Sequence, residues 1–445
     1  MSKLTASVLT VALAGFLFGF DTIVISGADG PTQALWDTSP WFHGVFIMSM
    51  ALWGTVAGAL LGGIPADRLG RKRTLLLIGL LYLASALGSA LATDPYAFSA
   101  FRFLGGLGVG ASSVAAPIYI AEIAPAARRG QLGATYQFNI VFGILVAFFS
   151  NYLIGAHFGA DAWRYMLGVE AVPALLYCLL MLGVPESPRW LLRYRGDTAS
   201  AKTAIAALDP DADVATRLRQ LQAASTTPKT RGAFAKTGND AADAPLSVLA
   251  KAYRQPLAWA FLIALFNQLS GINFLLYYAP RIFAAAGIAA DDTLAASIPI
   301  GVVNLVFTLL GVVLIDRMGR RTLLTIGCVG YVVTLLGVAA AFYTGAEGYV
   351  VVAFVTAFVA AHAIGQGAVI WVFLSEIFPT AVRAKGMAFG SSTHWVLAAL
   401  ITMATPAVLA AFAPWQIFAA FASLMVVQLW WVRTRMPETR GIRLA

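Results

Sequence analysis

Two charged side chains stand where a charge is costly. Asp21 in GFLFGFDTIVISG and Arg102 in FRFLGGLGVG are each set among apolar residues. At the centre of a membrane-spanning helix either one alone costs about 2.5–3.5 kcal/mol, so the two are expected to face the protein interior and each other. An aspartate whose arginine partner changes distance between two conformations can load a proton in one and release it in the other. A static ion pair joining two helices is the other reading of the same residues. Glycines at 15, 19 and 27, and at 105, 106, 108 and 110, would let the backbones around both charges come close.

The apolar runs also carry neutral amides: Gln137, Asn139, Asn267, Gln268, Asn273 and Asn304. An amide both donates and accepts hydrogen bonds, as hydroxyl groups of a polyol require, and brings no charge that would attract ions. Phe18, Tyr277, Tyr278, Trp371 and Trp395 accompany them. Flat rings suit the C–H faces of a pyranose or furanose, and Tyr and Trp keep one polar group. Many intramembrane amides only join helices, but amides and aromatics clustered on the same few spans point to a sugar site. His394, beside Trp395, reads equally as a ligand-facing imidazole or a helix-joining one. No His/Cys/carboxylate group has metal-ligand spacing, and no nucleotide loop or nucleophile elbow occurs, so neither metal, cofactor nor enzyme activity is expected.

These residues need a membrane scaffold. The chain has 445 residues, is 59% hydrophobic and only 11% charged, which places it in a bilayer. With roughly 20 apolar residues needed per crossing, twelve spans are predicted, near 6–28, 41–64, 74–92, 96–119, 131–155, 162–183, 257–285, 294–315, 322–342, 349–374, 386–410 and 414–434. The net charge of +9 does not mark a nucleic-acid binder. All Lys and Arg except Arg102, Arg164 and Arg281 fall in the N-terminus, the even-to-odd loops, the central segment or the tail. Basic residues favour the inner side, so both termini are expected in the cytoplasm. Lys3 ahead of an apolar run resembles a signal peptide, but the run continues past Asp21 and is long enough to span. Cys178 and Cys328 lie in different predicted spans and suggest no disulfide. No Asn-x-Ser/Thr acceptor occurs, which is compatible with a bacterial source.

The chain also repeats itself. DRLGRKR from Asp67 returns as DRMGRR from Asp316, EIAPAARR from Glu122 as EIFPTAVR from Glu376, and PES at Pro185 as PET at Pro437. Two like-oriented six-span units are therefore expected, at 1–184 and 256–436, with a central segment at 185–255 and a tail at 437–445. Two short helices are expected near Ser200–Leu208 and Val214–Ala223, with too little apolar surface for a core, and a patternless linker from Ser225 to Ala244. Asp67, Arg71, Glu122, Arg129, Glu186 and Arg189, with Asp316, Arg320, Glu376 and Arg383, are read as a charge network on the inner side. Its symmetric placement suggests a latch between the halves that favours an outward-open state, although a lone surface pair is worth only about 0–1 kcal/mol.

Taken together, GFLFGFD, DRLGRKR, RFLGGLGVG, PIYIAEIAPAARRG, PESPRWL, QLSGIN, DRMGRR, WVFLSEIFPTAVRAKG and PETRG resemble the sugar porter family of the major facilitator superfamily over nearly the whole chain. The resemblance implies an all-α membrane protein of twelve transmembrane helices in two pseudo-symmetric six-helix bundles, working by alternating access as a monomer in the plasma membrane, the inner membrane of a bacterium. It implies sugar contacts at Gln137, Gln268, Asn273, Asn304, Trp371 and Trp395, a lining role for Phe18, and an outer gate at Tyr277 and Tyr278. Asp21 and Arg102 match the proton-coupled members, which favours symport of a monosaccharide and protons over facilitated uniport. Three departures bear on the substrate. Asn267 replaces the first of two glutamines, His394 replaces an amide as in fructose-carrying relatives, and Ile144 replaces a second glutamine of some xylose symporters; a hexose is expected.

Overall fold

A computed structural model describes residues 2–125, 128–210, 213–226, 247–379 and 382–441. Among them the principal helices are α1 (Lys3–Val24), α2 (Met50–Leu61), α3 (Arg71–Leu91), α4 (Pro95–Ile123), α5 (Arg129–Phe158), α6 (Ala171–Leu182), α7 (Thr198–Leu208), α8 (Val214–Thr226), α9 (Arg254–Leu269), α10 (Ile272–Ala285), α11 (Thr293–Met318), α12 (Arg320–Thr344), α13 (Gly348–His362), α14 (Ala368–Glu376), α15 (Arg383–Ala411) and α16 (Pro414–Thr434). Eleven helical runs are long and apolar enough to cross a bilayer. One of them, Arg129–Leu182, has 54 residues and contains both the fifth and the sixth predicted spans, separated by the turn at Gly159, whose φ of +59° ends α5. Leu60, Leu80, Leu176, Val313 and Val333 are exposed, so the outer faces of these helices are as apolar as hydrocarbon contact requires.

Helix ends follow local chemistry. Asp94 accepts hydrogen bonds from Tyr96 N and Ala97 N, both at 3.0 Å, and Pro95 opens α4 with a fixed φ. Pro280 interrupts α10: Tyr278 leaves the helical region (φ −120°, ψ 19°), because the ring cannot sit against the preceding turn. The tenth span is broken by a π-helical turn at Ala363–Gly367, which contains the two glycines of GQG.

By internal contacts the described residues form two units: 2–28, 50–147 and 158–226 in one, and 29–49, 148–157 and 247–441 in the other. The central helices run Thr198–Leu208 and Val214–Thr226, and they do have a small core. Trp190 and Leu191 pack with Ala201, Ala204, Ile205 and Leu218. The two helices have this core only together with the PRWLL segment, whose tryptophan donates through Nε1 to Asp67 O at 2.8 Å. Residues 227–244 of the expected linker lie outside the described residues.

Candidate functional site

In the first unit, α1 and α4 bring Asp21 and Arg102 together. Nη1 of Arg102 lies 2.5 Å from Asp21 Oδ1, and Nη2 donates to the Asp21 carbonyl at 3.1 Å. Both residues are 1% exposed, and so is a third charge, Glu170, at the N-terminal end of α6. Glu170 feels the charges of both Asp21 and Arg102. Neither of its carboxyl oxygens accepts a hydrogen bond from a donor among the described residues. Two carboxyl groups facing one guanidinium can share a hydrogen bond only when one of them carries a proton. One arginine beside two acids is thus an arrangement in which a proton can pass from one carboxyl to the other with the net charge unchanged. Phe18 lies one turn before Asp21 on α1 and is buried, and Gln137 on α5 is half-buried. Asn139 turns inward on its own helix, donating to Thr135 O at 2.8 Å.

In the second unit the amides form a bonded cluster. Asn273 Nδ2 donates to Gln268 Oε1 at 2.7 Å, and Gln268 Nε2 donates to Asn267 Oδ1 at 3.0 Å. Gln268 Nε2 also lies 3.2 Å from both ring nitrogens of His394. The imidazole sits between two indoles, with centroids 5.1 Å from Trp371 and 4.9 Å from Trp395. Asn304 accepts from Thr308 at 3.5 Å, and Tyr278 OH donates to Thr402 O at 2.9 Å. Tyr277 and Tyr278 are both fully buried. The structure therefore joins Asn267, Gln268, Asn273, His394, Trp371 and Trp395 into one polar–aromatic group, without a net charge beyond any proton on the imidazole. Such a group can exchange its internal amide bonds for hydroxyls while the rings cover C–H surface.

The repeated charged motifs fold twice into the same geometry. Arg71 makes a two-pronged contact with Glu122 (Nε–Oε2 3.1 Å, Nη2–Oε1 2.9 Å), and Arg320 does the same with Glu376 (3.0 and 2.7 Å). Asp67 and Asp316 each sit 3.1 Å from the respective arginine. Ser187 donates to Glu122 at 2.5 Å and Thr439 to Glu376 at 2.6 Å. Glu186 caps the helix start by accepting Arg71 N at 2.9 Å, and Glu438 accepts Arg320 N at 3.0 Å. Burial pushes the Glu186 carboxyl above its ordinary value despite three backbone donors. Burial also acts upward on Glu438, but the amides of Arg440, Arg320, Arg321 and Thr439 outweigh it and hold that carboxyl below its ordinary value. Within the expected network, Glu122 and Glu376 take Arg71 and Arg320 as their partners. The helix ends after Ile123, Arg129 opens α5 exposed, and Arg383 Nε donates to Phe378 O at 3.3 Å. Arg189 is also exposed.

Residues 7–445 match the family described as "Sugar (and other) transporter". The chain belongs to the sugar transporter family. It is 34% identical over 418 residues to the D-xylose-proton symporter of Escherichia coli strain K12, covering 87% of this chain and 82% of that one. It is 33% identical over 439 residues to the arabinose-proton symporter of Bacillus subtilis (96% and 91%) and 31% identical over 456 residues to the glucose transport protein of Synechocystis (97% and 94%). Among solved structures, the partially occluded inward-open xylose transporter XylE of E. coli superposes with a TM-score of 0.85 at 29% identity, covering 99% of both chains. The sugar transporter is thus a multi-pass cell-membrane protein with the all-helical major facilitator fold, a secondary transporter and not an enzyme.

Several polar residues of the sugar transporter gain a role only from the fold. Glu170 was readable as a lone carboxylate in the apolar run GVEAVPALL. Glu438 was readable by analogy with Glu186, since PET repeats PES. Asp29, Gln33, His43 and Arg281 form a partly buried cluster whose members lie in a loop or near the ends of predicted spans in one dimension.

Proposed function

We propose that the protein is a proton-coupled importer of a monosaccharide, and that the monosaccharide is a hexose. The observation that carries the coupling is the buried Asp21–Arg102–Glu170 centre. Breaking a buried ion pair costs about 3–5 kcal/mol when one charge is left alone. Protonating a carboxyl as its arginine partner moves off removes that cost, so proton occupancy and conformation become linked. A loaded acid permits the state in which Arg102 is released, and a deprotonated acid draws the guanidinium back.

The sugar shell follows the same physical chemistry. Gln268, Asn273, Asn267, Asn304 and His394 supply donors and acceptors, Trp371 and Trp395 supply flat apolar surface, and Gln137 and Phe18 are further sugar contacts carried by the first unit. Tyr277 and Tyr278, at the α10 kink, serve as the outer gate. The Arg71–Glu122 and Arg320–Glu376 networks steady the basic-loop ends and bias the conformational balance. Asn267 is one methylene shorter than a glutamine, which leaves room for a hydroxymethyl group and supports a hexose over a pentose. Orientation follows the basic loops, with both termini cytoplasmic.

The test is uptake of labelled glucose, fructose, galactose and xylose into proteoliposomes with and without an imposed proton gradient. Uphill accumulation that Asp21→Asn abolishes while exchange persists is the expected result. Since two bonds to one carboxylate residue also suit a fixed strut, a gradient that drives no accumulation assigns the protein to facilitated uniport instead.

A further inference from the structure

The interior of the first unit holds more buried hydroxyl than its ion pair explains. On α3, Tyr82, Ser85 and Ser89 fall on one face at three- and four-residue spacing, and all are 0% exposed. A hydroxyl inside a helix commonly donates to the carbonyl four residues back. Thr74 on the same helix does so, to Gly70 O at 2.7 Å. The hydroxyls of Ser85 and Ser89 have no hydrogen-bond partner among the described residues, and neither does Tyr177 OH on α6. Each such group costs about 1–3 kcal/mol if nothing meets it. Buried, unpaired groups of this kind are where ordered water sits.

Their positions connect to the coupling centre. A Cβ built on Gly105 of α4 would stand 2.3 Å from Ser85 Oγ and 3.5 Å from Asp21 Oδ1, so the serine hydroxyl and the carboxyl border one space that glycine keeps open. One turn nearer the basic end of α3, Tyr82 OH lies 3.3 Å from Ser112 Oγ, which lies 3.2 Å from Tyr136 OH. Tyr82 feels the charges of Asp21 and Glu170. The titratable groups facing this line are Asp21 from α1, Arg102 from α4, Tyr136 from α5, Glu170 before α6, and Tyr177 with Cys178 against Gly79. Every member of the line can accept a proton on a lone pair while giving up its own.

We propose that Ser85, Tyr82, Ser112 and Tyr136, with water filling the gaps, carry the proton between the Asp21/Glu170 carboxyls and the end of the bundle that bears Arg71 and Glu122. This rests on the proton-coupled reading above. The carboxyl O–H bond breaks as its proton bonds to a water or to Ser85 Oγ. That oxygen releases its own proton to the next, so each O–H bond lost is matched by one formed. The carboxylate remains, nothing is oxidised, and the hydroxyls reset by rotation. The sugar and the proton then travel by different routes.

The experiment compares wild type with Ser85→Ala, Ser112→Ala and Tyr82→Phe in proteoliposomes, reading the ratio of gradient-driven accumulation to sugar counterflow, and its slowing in D2O. The ratio is expected to fall about tenfold or more, with a larger D2O effect. Ser85→Ala is the decisive variant, because it removes a hydroxyl that bonds to nothing among the described residues. A purely structural role predicts unchanged or raised thermal stability and an unchanged ratio. If wild type accumulates sugar and Ser85→Ala and Tyr82→Phe match its ratio and D2O response, the pathway is overturned and the coupling stands. If wild type does not accumulate sugar, both fall.

Discussion

Arg281 and Asp29, 252 residues apart, are joined by two hydrogen bonds: Nε to Oδ2 at 2.7 Å and Nη2 to Oδ1 at 2.9 Å. The same carboxylate lies 2.9 Å from His43 Nε2, and Gln33 Oε1 accepts from Arg281 at 2.5 Å. Thr38 Oγ1 lies 3.1 Å from His43 Nδ1, so a hydroxyl donating there leaves Nε2 to donate to Asp29. Arg281 follows the α10 kink by one turn and stands 5.9 Å over the Tyr278 ring. The cluster therefore ties the segment that begins at Asp29 to the piece of α10 beyond Pro280.

Arg281→Met strands a buried carboxylate. The expected loss is about 3–5 kcal/mol of stability, against a much smaller loss for the double variant Asp29→Asn/Arg281→Met. Thermal unfolding of the four proteins in detergent measures the cycle. Additive losses would show that the pair is not coupled.

The two symmetric carboxylate caps are expected to answer acid in opposite senses. Glu438 titrates below its ordinary 4.5 when folded, so its contribution is present at neutral pH and disappears as pH falls through the depressed folded value. Glu186 titrates above 4.5 when folded, so the native state binds the extra proton and gains stability as pH falls through the raised value. Stability of Glu438→Gln and Glu186→Gln relative to wild type, followed from pH 7 down to about 4, checks both signs. Acidification should shrink the deficit of the first variant and should move the second in favour of wild type.

Gly70 and Gly319 hold φ of +99° and +88°, and a Cβ there would lie 2.3 Å from Glu186 Oε2 and 2.7 Å from Glu438 Oε2. Gly70→Ala and Gly319→Ala are each expected to cost more than about 1 kcal/mol, through left-handed strain and displacement of the capping carboxylate. Melting temperature and retained dispersity on size-exclusion chromatography report the loss.

Gln268 bonds Asn267, Asn273 and His394 at once. Gln268→Ala is expected to raise KM for the transported sugar by about five- to thirty-fold, as for loss of a charge-free hydrogen-bonding hub worth about 1–2 kcal/mol. Counterflow rates against sugar concentration measure it, with melting temperature as the control. An unchanged KM would remove Gln268 from the sugar shell.

Span positions, the internal repeat, the all-helical class and the polar residues placed in apolar runs were legible in the sequence, because length, hydrophobicity and charge bias are one-dimensional properties. Apart from Asp21 and Arg102, which side chains meet was not. A helix buried on most sides has no amphipathic stripe to say which face points where, so Glu170 could not be aimed at Arg102 from its own run. The motif EIAPAARR marks Glu122 as part of a charge network without naming its partner, and the carboxylate finds Arg71, 51 residues earlier. Asp29 and Arg281 are ordinary loop and helix-end residues until the fold removes water from between them. Packing alone decided these partnerships, since a buried charge takes whichever complementary group tertiary structure brings within reach.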